Sequence, residues 1–153
     1  MFIGHLPAGY LVARTIWPDT ARTIMIAALI GSVIPDVDML YFYLFDERST
    51  HHHDYITHRP IVWLSVFLTG VVLRRSAILA LGLGALLHMA LDSIVGKITW
   101  VWPISDFSKP LVVVQATHDH WILSFLFHWT FFIEILIVLT AIFVAWRSNF
   151  RSI

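Results

Sequence analysis

The chain has 153 residues, 58% of them hydrophobic and 13% charged, with ten Lys and Arg against ten Asp and Glu, no cysteine and nine histidines. Soluble domains carry roughly 45–50% apolar and about 25% charged residues, so the composition and the mean hydropathy of +0.77 describe a membrane protein with room for one domain. The missing cysteine excludes disulfides, thiolate zinc sites, iron–sulfur clusters and cysteine nucleophiles, and the balanced charge excludes a strongly basic nucleic-acid binder.

A membrane-spanning helix needs about 20 apolar residues, because the hydrocarbon core is about 30 Å thick and the helix rises about 1.5 Å per residue. In chain order the apolar stretches are Phe2–Ala13, Thr23–Ile34, Pro60–Leu73, Ser76–Val95 and Trp121–Trp146. Only the last has full spanning length. The others lack a polar face that water could cover, so they read as spanning helices whose functional ends are included. The expected architecture is all-α, a polytopic membrane bundle of about five helices. It forms a single integral membrane domain over residues 1–153, with a polar ligand-bearing loop at 46–59 and a second loop at 96–119.

The turns follow from local chemistry. Trp17-Pro18-Asp19-Thr20 separates the first two helices, with Asp19 or Thr20 as N-cap. Pro35 ends the second helix, since its ring blocks a continuing ladder. Arg74-Arg75-Ser76 is a tight reversal. Met1 to His5 lacks a basic segment and a small-residue cleavage site, so this N-terminus is expected to be retained.

An up-and-down trace through five helices puts Arg14, Arg22, Arg74, Arg75, Arg147 and Arg151 on one face. The positive-inside rule makes that face cytoplasmic, although Arg48, Arg59, Lys97 and Lys109 fall on the other. The opposite face receives His5, Asp36, Asp38, the His51–His58 stretch, His88, Asp92 and His118–His120.

Four separate pieces of chain thus deliver ligand-type groups to one level. His88 and Asp92 are spaced i, i+4 and share a helix face, which suits a common cation or an interhelical pair. Asp36 and Asp38 follow an apolar helix, where one carboxylate could cap the helix starting near Met39 but two are unexplained by capping. The run His51-His52-His53-Asp54-Tyr55-Ile56-Thr57-His58-Arg59 uses histidine where a solvated loop would use lysine, glutamate or serine. Neutral imidazole is the commonest protein metal ligand. His5 sits at the outer end of the first helix. His128 and Glu134 are six residues apart on the last helix and point about 120° apart, so they do not share a site, and Glu134 is open to packing, proton-relay or partner roles. His118-Asp119-His120 reads as loop or lid. Nitrogen and oxygen ligands suit zinc, manganese or magnesium.

At these residues the sequence resembles a known family. Gly4-His5, Gly31-Ser32-Val33-Ile34-Pro35-Asp36-Val37-Asp38, His53 with Thr57-His58, and His88-Met89-Ala90-Leu91-Asp92 with Trp102-Pro103 look like the bacterial LexA-regulated, membrane-bound metal-dependent hydrolases. That family is distantly similar to zinc-dependent phospholipase C. The resemblance implies His5, Asp36, Asp38, His53, His58, His88 and Asp92 as ligands. The family's Arg-Gly after the first loop histidine and Ser after the second are Asp54-Tyr55 and Arg59 here.

The expected activity is hydrolysis of a phosphoester of lipid or another membrane-proximal substrate, in the bacterial inner membrane with the site toward the extracytoplasmic side. One to three divalent ions, zinc foremost, would drive a bound water toward hydroxide. Asp38 or Asp54 would accept its proton, and Arg59 would orient the phosphate. The alternatives are a metal-ion or proton-coupled transporter and a non-catalytic membrane assembly subunit.

Overall fold

The computed structural model describes residues 3–18, 21–47 and 49–150, and Asp19, Thr20, Arg48 and Arg151 lie outside them. Among the described residues the chain is all-helical: α1 (His5–Ile16), α2 (Arg22–Gly31), α3 (Asp38–Leu44), α4 (Pro60–Val72), α5 (Ser76–Asp92), α6 (Trp121–Leu126) and α7 (Trp129–Phe150). Three 3-10 turns, Ile34–Val37, His52–Asp54 and Ile56–His58, carry Asp36, His52, His53, Asp54 and His58.

Two apolar stretches differ from expectation. The second helix ends at Gly31, and Pro35 lies inside a 3-10 turn that runs on into α3, bending the chain by 55° between the halves. Proline fits there because the first turn of a helix has no use for its missing N–H. The stretch from Trp121 is broken at Phe127 and His128. His128 Nδ1 lies 2.9 Å from Thr130 Oγ1 and accepts from Thr130 N at 3.4 Å, so this histidine starts α7 as a cap. Arg74 adopts φ 52°, which turns the chain between α4 and α5 within the three residues Leu73, Arg74 and Arg75.

Among the described residues one helix is long and apolar enough to cross a membrane unaided. Trp129–Ser148 has a hydropathy of 2.2 over its most apolar 18 residues, with 17% of that window buried inside the protein. A core helix of a soluble protein would be mostly buried. Here the apolar surface of α7, including Phe132, Leu136, Leu139 and Phe143, faces outward. α4 and α5 are apolar but shorter.

α5 is the centre of the bundle, packed between α2 and α4 and touching α1. The packing surface is made of small residues. Ala13, Ala28 and Ala80 are buried together, with Trp17, Ile24 and Met25 around them. Gly84 lies against the Ala28 carbonyl, Gly31 against the Leu81 carbonyl, Gly70 against the Leu79 backbone and Gly82 against the Phe67 backbone. Where lipid is as apolar as leucine, such close backbone approach supplies the van der Waals contact that holds helices together. It also fixes the height of α5 against its neighbours. α1 and α4 start, and α2 and α5 end, at one end of the bundle, and the ligand-type residues collect there.

Candidate metal centre

The cluster is built around Asp92, the last residue of α5. Its Oδ1 lies 3.0 Å from His5 Nε2, and its Oδ2 lies 3.1 Å from His88 Nε2, 3.5 Å from His53 Nε2 and 3.8 Å from His58 Nε2. The i, i+4 spacing on α5 brings His88 and Asp92 together, as expected. Asp36 enters from the 3-10 turn after α2, with Oδ1 3.5 Å from His88 Nε2 and 3.6 Å from His58 Nε2. The ring of His5 stacks on that of His88 at 3.9 Å.

The spacing is that of a group able to hold a cation. Asp36, His58, His88 and Asp92 each aim one ligand atom inward, all within 4.8 Å of one another. Four of the six separations are 3.1–3.8 Å. Tetrahedral ligands at about 2.0–2.1 Å from zinc stand about 3.3–3.5 Å apart, whereas N–H···O bonds cluster near 2.9 Å. The Nε2 atoms of His5, His58 and His88 are buried and have no hydrogen-bond partner. A buried polar atom left unpaired costs about 1–3 kcal/mol. Three such nitrogens converge on the two carboxylates.

The remaining nitrogens show how the rings are held. His88 Nδ1 lies 2.9 Å from the Ser32 carbonyl oxygen and donates to it, which turns Nε2 toward Asp36 and Asp92. His58 Nδ1 lies 2.5 Å from Asp38 Oδ2, which also accepts from Thr57 Oγ1 at 2.5 Å. Asp38 therefore stands behind His58 and fixes its ring, as a carboxylate behind a metal-bound imidazole does. It does not cap α3, which has no side-chain cap. Burial pulls His58 toward the neutral ring, but Asp36, Asp38 and Asp92 outweigh it and push its pKa up to about 10. His52 goes the other way, down to about 4, through burial and the neighbouring histidines.

Of the residues singled out in the sequence, His5, Asp36, His53, His58, His88 and Asp92 come together, with Asp38 one layer behind. Asp54 and Arg59 lie outside the cage. Asp54 is exposed, and its backbone carbonyl accepts from Arg59 Nη2 at 2.7 Å. Arg59 Nη1 donates to Thr99 Oγ1, and the guanidinium lies 5.7 Å from the Trp102 ring. This residue ties the 46–59 loop to the 96–119 loop. The second loop is fastened further by Leu111 N to Ser93 O at 2.9 Å and Val112 N to Ile94 O at 2.7 Å. Gly96 gives His53 its place, since a methyl group there would lie 2.8 Å from His53 Nδ1.

Two contributors escape sequence reasoning, and a third, Glu134, stands out there without a settled role. His52 joins His53 and His58 in a second group of imidazoles, and its only signal was membership of the triplet. The Ser32 carbonyl is backbone and leaves no side-chain signal. Glu134, fully buried on α7, accepts backbone hydrogen bonds from Ile3 N at 2.7 Å and Gly4 N at 3.1 Å. It thus holds the start of α1, one residue before His5, where orphan N–H groups and the helix dipole favour an anion. His118 and His120 serve the loop before α6: Ile122 N donates to His120 Nδ1 at 3.3 Å, and His118 N donates to Ser124 Oγ at 3.0 Å.

No match was found among curated proteins or among solved structures. A family model does match, that of the YdjM inner membrane protein, over residues 1–151. An apolar α7 facing outward, a bundle sewn together by small residues and a match over nearly the whole length agree: the chain belongs to the YdjM inner membrane protein family.

Proposed function

We propose that this inner-membrane protein is a metal-dependent hydrolase that cleaves a phosphoester at the membrane surface. Asp36, His58, His88 and Asp92 hold a divalent ion, zinc by preference, and His5 and His53 stand beside it. The observation that carries the reading is the set of buried Nε2 atoms of His5, His58 and His88, each without a hydrogen-bond partner and gathered around two carboxylates. Imidazole with carboxylate is a zinc-type donor set. Such an ion lowers the pKa of a bound water toward about 7, which supplies a nucleophile at neutral pH.

The chain's own residues supply the rest. The Asp36 side chain is 42% exposed, so the cage opens on that side to water and substrate. Asp38 keeps His58 in register. Asp38 Oδ1, buried and unpaired, and the exposed Asp54 are the carboxylates placed to take a proton. Arg59, next to His58 and braced by Thr99 and Trp102, orients a phosphate at the rim. In this reading α1, α2 with α3, α4 and α5 complete a multi-pass bundle with α7, and the cage lies at the extracytoplasmic level, opposite Arg14, Arg22, Arg74, Arg75 and Arg147.

An ion-transit role would need a polar route from the cage to the arginine face. Along α4 the polar side chains are Ser65 and Thr69, and both bond back to their own helix, to the Ile61 and Ser65 carbonyls. The test is to purify the protein in detergent, measure bound metal, and assay phosphodiester and phosphomonoester cleavage for wild type and Asp92→Ala. Stoichiometric metal with hydrolysis, both lost in the variant, is expected. Absence of metal in wild type overturns the site. Metal without hydrolysis overturns the enzyme, and flux in proteoliposomes then tests a transporter against an assembly subunit.

A further inference from the structure

His52, His53 and His58 each offer a ring nitrogen, and these lie within 4.8 Å of one another. Two consecutive 3-10 turns, His52–Asp54 and Ile56–His58, fold the loop tightly enough to bring residues 52 and 58 together, with ring centroids 5.4 Å apart. His52 and His53 are closer still, at 4.1 Å, and Phe42 of α3 meets the edge of the His52 ring at 6.1 Å. His52 is half-buried while His53 and His58 are buried, so the group runs from the mouth of the cage inward.

Its donors differ from those of the cage. Three imidazole nitrogens suit zinc and neighbouring transition ions, which displace ring protons on binding, and offer nothing to a hard cation such as magnesium. His58 belongs to both groups, yet it has one nitrogen to give: Nδ1 is held by Asp38 at 2.5 Å, and Nε2 faces Asp36 and Asp92. One lone pair cannot bind two ions. Occupancy of the outer and inner positions is therefore mutually exclusive at His58, and the two are arranged in series from half-exposed to buried.

We propose that His52, His53 and His58 form an outer capture site through which a zinc-type cation reaches the inner cage. His58 Nε2 stays bound during transfer, while bonds to His52 give way to bonds to His88, Asp36 and Asp92. This rests on the reading of the inner cage as a metal site. It assigns His52 a kinetic task, since a group that binds only on the way in speeds entry and exit alike and leaves the final affinity unchanged.

The experiment loads zinc into the metal-free full-length protein in detergent, following uptake and release against a chromogenic chelator, for wild type, His52→Ala and His52→Gln. Both variants should bind one equivalent with wild-type affinity, and both rates should fall together by about tenfold, the effect of about 1.4 kcal/mol on a barrier. Manganese loading, which depends more on carboxylates, should change little. Wild-type rates in both variants overturn the proposal. So does a second zinc equivalent in wild type that His52→Ala removes, which would make the outer position a resident site, or a tenfold weaker final affinity, which would make His52 a resident ligand. Failure of wild type to bind zinc overturns the cage reading itself, an outcome distinct from these three.

Discussion

Asp92 and Glu134 are both buried carboxylates on apolar helices, and their surroundings are opposite in kind. Asp92 faces the imidazoles of His5, His53, His58 and His88. Glu134 receives the backbone N–H groups of Ile3 and Gly4. An ionisable side chain in a membrane helix is expensive and is commonly read as a functional site. The comparison shows that burial alone does not carry that inference. Imidazoles can turn lone pairs toward a cation, so a carboxylate among them is a candidate ligand. Backbone amides can only donate, so a carboxylate among them is an anchor for a helix start.

The largest effect should come from neutralising the first carboxylate. Asp92→Asn keeps the shape and removes the charge, and elemental analysis should find the stoichiometric metal gone and hydrolysis at background, with the helical circular dichroism retained. Asp38→Ala comes next. It leaves every cage ligand in place but frees the His58 ring, and zinc titration should show affinity lower by about 10–100-fold. Arg59→Ala should keep full metal occupancy while turnover of a phosphodiester falls by about tenfold. Glu134→Gln is the matching change at the second carboxylate. It should retain one equivalent of metal and lower stability by about 1–2 kcal/mol in denaturant unfolding, through loss of charge from two hydrogen bonds. If Glu134→Gln instead empties the cage, the distinction between ligand and anchor collapses.

The smallest effect lies in the 46–59 loop. Tyr55 donates to Asp46 Oδ2 at 2.5 Å. The bond from Tyr55 holds Asp46 below its ordinary 3.8, and burial with that same bond pushes Tyr55 from 10.0 to about 12. The Asp46 contribution is therefore present above pH 3.8 and lost as pH falls through its lowered value. The Tyr55 contribution is present below pH 10.0 and lost as pH rises through about 12. Limited proteolysis across pH should find the loop most resistant between those limits, with Tyr55→Phe removing the alkaline limb.

Much of the centre was legible because metal chemistry restricts residue type and spacing. His88 and Asp92 declare themselves by a helical interval, and Asp36 by its place after an apolar helix. Their convergence followed from counting turns of helix between polar ends. For Asp38 composition cannot say whether a carboxylate faces the cluster directly or stands at the back of an imidazole. In the structure one of its oxygens, Oδ2, lies 2.5 Å from His58 Nδ1, behind the ring. Glu134 was undecidable because the hydrogen bonds to its Oε2 come from main-chain groups, which every residue possesses. The helix count erred where the end of a helix depends on polar groups rather than apolar runs: His128 interrupts the last stretch and Gly31 ends the second early.

The glycines along α5 and its neighbours reverse the usual pattern of vulnerability. In most cores damage is subtractive, a lost methylene leaving a hole. Here Gly31, Gly70, Gly82 and Gly84 each lie where one added methyl would strike the main chain of the adjoining helix. Because α5 carries His88 and Asp92 while α2 leads to Asp36, a wedge of that size would slide one wall of the cage past another without touching a single ligand. In natural variation, inactivating changes should thus gather at positions that have no side chain to lose.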